Sequence, residues 1–254
     1  MQESSRNQYY EQFVNNLKES QTVQDYLLER GFNIDFIKSG NFGFCSSYSK
    51  YMFPLLRGRL IVPIRDVHGR LIALAGRQVP DFIEVTIASF WDTFKSEPAK
   101  ADDRINKWLK GKWINEPYQK SRHLFNLDKA KSSIRDCNFV FIVEGYFDVL
   151  ILKQKGIENV VALCGTALSE YHLALLYRYC DRVVLLLDGD DAGRLASEKI
   201  IQKLNDNNFI GKILHLPEKC DPDDFVINYG PQNLIDAANQ LLDSEQSFLK
   251  IIVS

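Results

Sequence analysis

Acidic residues recur where apolar runs end in the second half of the chain. Glu144 follows "FVFIV" and precedes Gly145, "DGDD" (residues 188 to 191) follows "RVVLLL", and "CDPDD" (residues 220 to 224) lies shortly after the apolar run at 212 to 216. Asp188 and Asp190 are two apart, so in extended backbone both carboxylates reach the same way, and Gly189 between them permits a tight turn. Carboxylates crowded at one edge repel unless cations sit between them, and hard divalent ions, Mg²⁺ above all, suit such a site. Each acid also has a quieter reading. Glu144 caps the following helix, Asp-Gly-Asp is good turn chemistry, and Asp191 is a helix N-cap or first-turn acid. Asp221 and Asp223 start a helix with Pro222 in its first turn. Three acidic strand ends together favour the metal reading over turns alone.

The elements that position these acids follow from periodicity. Strands are expected at 139–143, 159–163, 182–187 and 212–216, separated by helices at 146–155, 167–179 and 191–204. That alternation implies a parallel sheet, and right-handed crossovers place every strand's carboxyl end on one edge, where open parallel sheets bind ligands. Upstream, residues 6 to 30 read as one or two helices ending before Gly31. In "RLIVPIRDVHGRLIALAGR" two apolar runs flank Asp66-Val67-His68-Gly69, a hairpin with Gly69 supplying a positive φ. Residues 81 to 122 read as loops and short helices, and Gly230 to Ser254 as one further helix. Trp108 and Trp113 are candidates for stacking on unpaired bases, with packing as the alternative.

Charge is sorted along the chain. From Lys50 to Pro80 there are six bases against the single acid Asp66, whereas from Asp181 to Asp224 ten acids face six bases. Arginines that hold a polyanion beside carboxylates that hold metal ions are what a nucleic-acid enzyme requires. The 254 residues are 45% hydrophobic with a formal charge of -2, and no apolar run approaches the roughly 20 residues needed to span a bilayer. No signal peptide is visible. The five cysteines are odd in number and far apart, which implies reduced thiols in a cytoplasmic protein and no zinc site.

The runs "VEGYFDVL", "LCGTALSEYH", "LLLDGDDAGRLA" and "LPEKCDPDDFVINYG" resemble, in order, the Toprim core of DnaG-type bacterial primases. The segments "YLLERGFNIDFI", "RLIVPIRDVHGRLIALAGR" and "KWINEPYQKSRHLFNLDKA" are similar to that family's amino-terminal polymerase subdomain. The expected fold is α/β, or α+β overall: a Toprim-like parallel sheet flanked by helices (136–230), preceded by a smaller mixed α/β basic subdomain (1–135) and followed by a helical segment (231–254). The resemblance implies that Glu144, Asp188 and Asp190 are catalytic and hold Mg²⁺ or Mn²⁺, with Asp148, Asp221 and Asp223 as further acids of the metal edge. A solvent-facing Asp148 is the bland alternative. The resemblance also implies that Arg65, Arg77, Lys112, Asn115 and Lys120 track template, product and incoming nucleotide. The implied activity is DNA-directed synthesis of short RNA primers from ribonucleoside triphosphates on single-stranded DNA, by a monomer. A replicative helicase would be met through regions absent from this chain. The family's zinc-binding and helicase-interacting domains have no counterpart in these residues, as expected of an excised core or a compact primase of a mobile element. A Toprim nuclease and a catalytically silent single-strand binding module are the alternative functions.

Overall fold

Tyr10, Phe13 and Leu17 recur at helical spacing in helix α1 (Glu3–Glu19), and this stripe is its buried face. Residues 3–83, 110–165, 167–218, 220–244 and 246–250 are described in the computed structural model. Helix α1 packs on strand β1 (Gly43–Cys45). Helix α2 (Gln21–Glu29) follows at once, its buried Gln24 amide donating to Leu17 O and Lys18 O at the end of α1. An antiparallel pairing joins β1 to β2 (Arg59–Arg65), and β3 (Leu71–Gln78) continues the sheet. The expected hairpin turn lies between β2 and β3: Gly69 sits at φ 85, its N–H donates to Asp66 O, and the Arg65 guanidinium donates to Gly69 O at 2.9 Å.

The fourth strand of this sheet corrects the sequence reading. Within the stretch expected to be loops and short helices, Trp113–Asn115 form β4, antiparallel to β3. Three residues carry too little pattern to declare a strand, and pairing with β3 decides their conformation. Residues 84–109 of that stretch, Trp108 among them, lie outside the described residues.

Between residue 138 and His215 the strands and helices follow the periodicity read from the sequence. Strands β5 (Val140–Val143), β6 (Val160–Ala162), β7 (Arg182–Leu185) and β8 (Ile210–His215) are all parallel, in the order β6-β5-β7-β8. Every residue of β5 and β6 is buried, the mark of strands covered on both faces. At about 1.5–3 kcal/mol per fully buried Val, Ile or Phe, these strands anchor the core. The intervening helices are α3 (Leu127–Cys137), α4 (Tyr146–Gln154), α5 (Glu170–Leu176) and α6 (Asp191–Asp206). The segment expected as one terminal helix contains α8 (Pro231–Leu242), after α7 (Pro222–Tyr229), and then strand β9 (Phe248–Lys250). Strand β9 extends the sheet beside β8, again in parallel. Its three residues become a strand because β8 offers an unpaired edge.

The chain divides into two compact units, Met1–Ile64 with Arg70–Tyr118, and Arg65–Gly69 with Gln119–Ser254. This division precedes the residue 135/136 boundary read from the sequence. Helix α3 explains the difference, since Leu127, Ala130 and Ile134 belong to the core cluster of the parallel sheet. Among the described residues no helix is long and apolar enough to cross a membrane.

Candidate metal centre

Adjacent parallel strands bring together acids that are far apart in sequence. Glu144 stands one residue beyond β5, and Asp188 lies beyond β7, the neighbour of β5. The Asp188 backbone N–H donates to Glu144 Oε1 at 3.4 Å, which ties the two strand ends together. Asp190 is the N-cap of α6, its Oδ1 accepting from Gly193 N at 2.7 Å, and Asp191 falls in the first turn. Gly189 is needed for close approach rather than a left-handed turn. A Cβ there would lie 2.3 Å from Pro217 O, and its N–H donates to Cys220 O at 3.1 Å. That contact brings the loop before α7 against the Asp188 turn.

Helix α7 packs along α4, and the pairing carries a second set of acids. The capping role considered for Glu144 belongs to Asp148, whose Oδ2 accepts from the N-cap Gly145 N–H at 2.8 Å. Asp148 is buried, which removes the solvent-facing alternative. Asp221 is the N-cap of α7 but makes no side-chain cap hydrogen bond, and Pro222 occupies the first turn as expected. One oxygen from each of Asp221, Asp223 and Asp224 lies within 4.8 Å of the others. Asp224 was not singled out in the sequence, although "DPDD" displays it. Glu144, Asp188 and Asp190 do not close to that distance among the described residues.

The electrostatics record the crowding. Burial, then the charges of Asp223 and Asp188, push Asp148 up to about 8. Asp188 is raised to about 7 by burial, then by Glu144, Asp221, Asp190 and Asp223. Glu144 is raised chiefly by burial, with Asp190 and Asp221 adding to it and the Asp188 N–H opposing. The neighbouring Cys220 thiol goes up to about 11, from burial and then Asp224, Asp221 and Asp223. Carboxylates that disfavour one another's ionisation, all offering oxygen, are a donor set that fits a hard divalent cation.

The expected basic residues divide between the units. Arg65 and Lys120 belong to the second unit; Arg77, Lys112 and Asn115 belong to the first. Lys112 is exposed. Arg77 is largely buried: its Nε donates to the Tyr26 hydroxyl at 2.7 Å, and its guanidinium lies 5.4 Å from the Trp113 ring centroid. Trp113 therefore packs against Arg77. Asn115 is half-buried opposite Ala75 in the β3–β4 pair. The Lys120 ammonium donates to Cys164 O at 3.0 Å, at the end of β6.

Residues 141–226 match a family model described as Toprim-like. The DNA primase of Aquifex aeolicus is 34% identical over 193 residues, which cover 73% of this chain and 34% of the relative. A crystal structure of the zinc-binding and RNA polymerase domains of Aquifex aeolicus primase superposes with a TM-score of 0.71 at 27% identity, covering 91% of this chain and 59% of that one. The RNA polymerase domain of Mycobacterium tuberculosis primase DnaG, in complex with double-stranded DNA, gives a TM-score of 0.70 at 25% identity over 92% of this chain and 78% of that one. The chain spans 34% to 41% of the length of the first curated relatives it matches. At 34% identity to a DNA primase over 73% of its length, the chain belongs to the DnaG-type DNA primase family.

Proposed function

We propose that this chain is the catalytic core of a primase, making short RNA primers on single-stranded DNA by metal-dependent nucleotidyl transfer. The observation that carries the reading is the acidic edge, where burial and the charges of neighbouring acids raise the proton affinity of Glu144, Asp148 and Asp188, and where Asp221, Asp223 and Asp224 bring carboxylate oxygens within 4.8 Å of one another. In this reading residues 141–226 are the Toprim domain, and the first unit is the basic polymerase subdomain. Glu144, Asp188 and Asp190 hold Mg²⁺ or Mn²⁺, with the remaining acids supporting them. A bound divalent ion supplies charge neutralisation at the triphosphate and a lowered pKa for the attacking 3′ hydroxyl.

The residues of the chain provide the rest. The strand ends and the contacts of Gly189 with Pro217 and Cys220 give the carboxylates a rigid seat. Arg65 and Lys120 in the second unit, and Lys112 and Asn115 in the first, hold phosphates of template, product and incoming nucleotide. Arg77 belongs to the same set and acts through the Trp113 ring that it braces. The reading also makes the chain a cytoplasmic monomer that works beside a replicative helicase.

The test is primer synthesis on single-stranded DNA with labelled ribonucleotides and Mg²⁺, comparing the wild type with Asp188→Ala. Short RNA ladders that vanish in the variant are expected. Shortening of the DNA without any need for nucleotides would replace the reading with a nuclease. Salt-sensitive binding that survives Asp188→Ala, without turnover even on a supplied primer, would leave a binding module.

A further inference from the structure

A second feature adjoins the acidic edge. Beside the carboxylates lies a cleft of ≈ 510 Å³. Leu163 beyond β6, Leu187 beyond β7 and Ile200 on α6 contribute apolar surface to its lining, and all three are buried in the core of the parallel sheet. Leu195, Ala196 and Lys199 of α6 and Glu144 also line it. Leu195 is 59% exposed, a large apolar side chain left in water at the rim.

This lining specifies a ligand. Its volume falls within the roughly 300–1,000 Å³ of small-molecule sites, and such sites pair apolar walls with a few polar groups. An apolar lining favours ring systems, which gain by leaving water. Charge fixes the orientation. Lys199 is nine residues beyond the Asp190 cap, so at 1.5 Å per residue it stands about 13 Å further along the helix axis, away from the strand-end acids. An anionic group meets a cation there, whereas near Glu144 it meets repulsion.

We propose that the cleft binds a flat aromatic molecule with a single anionic group, its rings on Leu163, Leu187 and Ile200 and its anion at Lys199. The inference is independent of the polymerase reading, because binding is measured without nucleotide, DNA or metal.

The experiment is a fluorescence titration of the full chain with anilinonaphthalene sulfonate, in buffer with a chelator, on the wild type, Lys199→Glu and Ala196→Phe. Saturation at one probe per chain is expected, weakened at least several-fold when Lys199 is reversed and when the Phe ring occupies the cleft. A cooperative thermal transition in each protein distinguishes the cleft from loosened core. If Ala196→Phe does not fold, the exposed Lys199→Glu carries the test alone. Non-saturating binding by the wild type, or unchanged affinity in folded Lys199→Glu, overturns the proposal. Unchanged affinity in folded Ala196→Phe does the same.

Discussion

Two buried carboxylates in this protein meet opposite surroundings. In the first unit Glu116 accepts from Arg6 Nε at 3.2 Å, from the Tyr51 hydroxyl at 2.5 Å and from Leu74 N at 2.9 Å. Those bonds tie α1, the 46–53 loop, β3 and the end of β4 to one side chain. Burial and the adjacent Glu116 charge push the Tyr51 hydroxyl upward, so it remains a donor. In the second unit Asp148 accepts from the Gly145 N–H and faces Asp223, Asp188 and Asp221, whose charges all oppose its ionisation. A buried acid that is paired and hydrogen-bonded organises structure; buried acids turned toward one another store repulsion that a cation would relieve. Burial is common to both, and only the neighbours separate the roles.

The contrast is sharpest when each side is broken. Asp188→Ala should lower Mg²⁺-dependent synthesis at least about a hundredfold, as loss of a group aimed at developing charge does. Its metal-free thermal transition should stay at or above the wild type's, because a repelling charge has gone. A large drop in melting temperature would instead give Asp188 the structural role of Glu116. In the first unit, Glu116→Ala strands Arg6 and the Leu74 N–H, and denaturant titration should show a loss of about 3–5 kcal/mol. A loss close to zero would dissolve the distinction.

The backbone of the acidic edge offers a smaller perturbation. Gly189→Ala places a Cβ 2.3 Å from Pro217 O, so the backbone at Gly189 or Pro217 must shift. A destabilisation of about 1–3 kcal/mol, seen in urea unfolding, should accompany reduced synthesis.

The pH dependence has a definite sign. Asp148 at about 8 and Asp188 at about 7 lie above the value near 3.9 of an unfolded aspartate. Between about pH 4 and 8 the folded, metal-free protein therefore holds more protons than the unfolded chain, and stability falls as pH rises through that window. Thermal melts in a chelator should show this decline, and Mg²⁺ should flatten it. A metal-free transition that climbs from pH 5 to 8 would contradict the crowding. The smallest effect belongs to the cap: Asp190→Ala should cost α6 about 1 kcal/mol in addition to any loss of activity, a difference measurable by denaturant midpoint.

Much of the second unit was legible in the sequence. Long apolar runs alternating with amphipathic stretches leave little freedom, and β5, β7, α4 and α6 lie within a few residues of where periodicity puts them. The Gly69 turn was equally plain, since it needs a positive φ. The short strands β4 and β9 were missed because three residues have no period, and their conformation comes from the neighbours that pair with them. The compact units divide earlier in the chain than the boundary read from the sequence, and nothing local shows which core the apolar stripe of α3 joins.

At the acidic edge, residue identity was legible and allegiance was not. An acid after an apolar strand is visible as such, which marked Glu144, Asp188, Asp190 and the "CDPDD" run as candidates, and the family resemblance is what gave Glu144, Asp188 and Asp190 the metal-holding role. That Asp148 caps its own helix while buried among other acids, that Asp224 joins Asp221 and Asp223, and that Gly189 exists for Pro217 O were set by the packing of α7 on α4 and by the loop before it. The chain by itself determined the strand-and-helix rhythm and the stock of carboxylates, because periodicity and residue chemistry are local. Only the tertiary structure decided which carboxylates share an edge and which, like Glu116, are neutralised within the fold, because Coulomb energy and desolvation depend on distances that chain order does not contain.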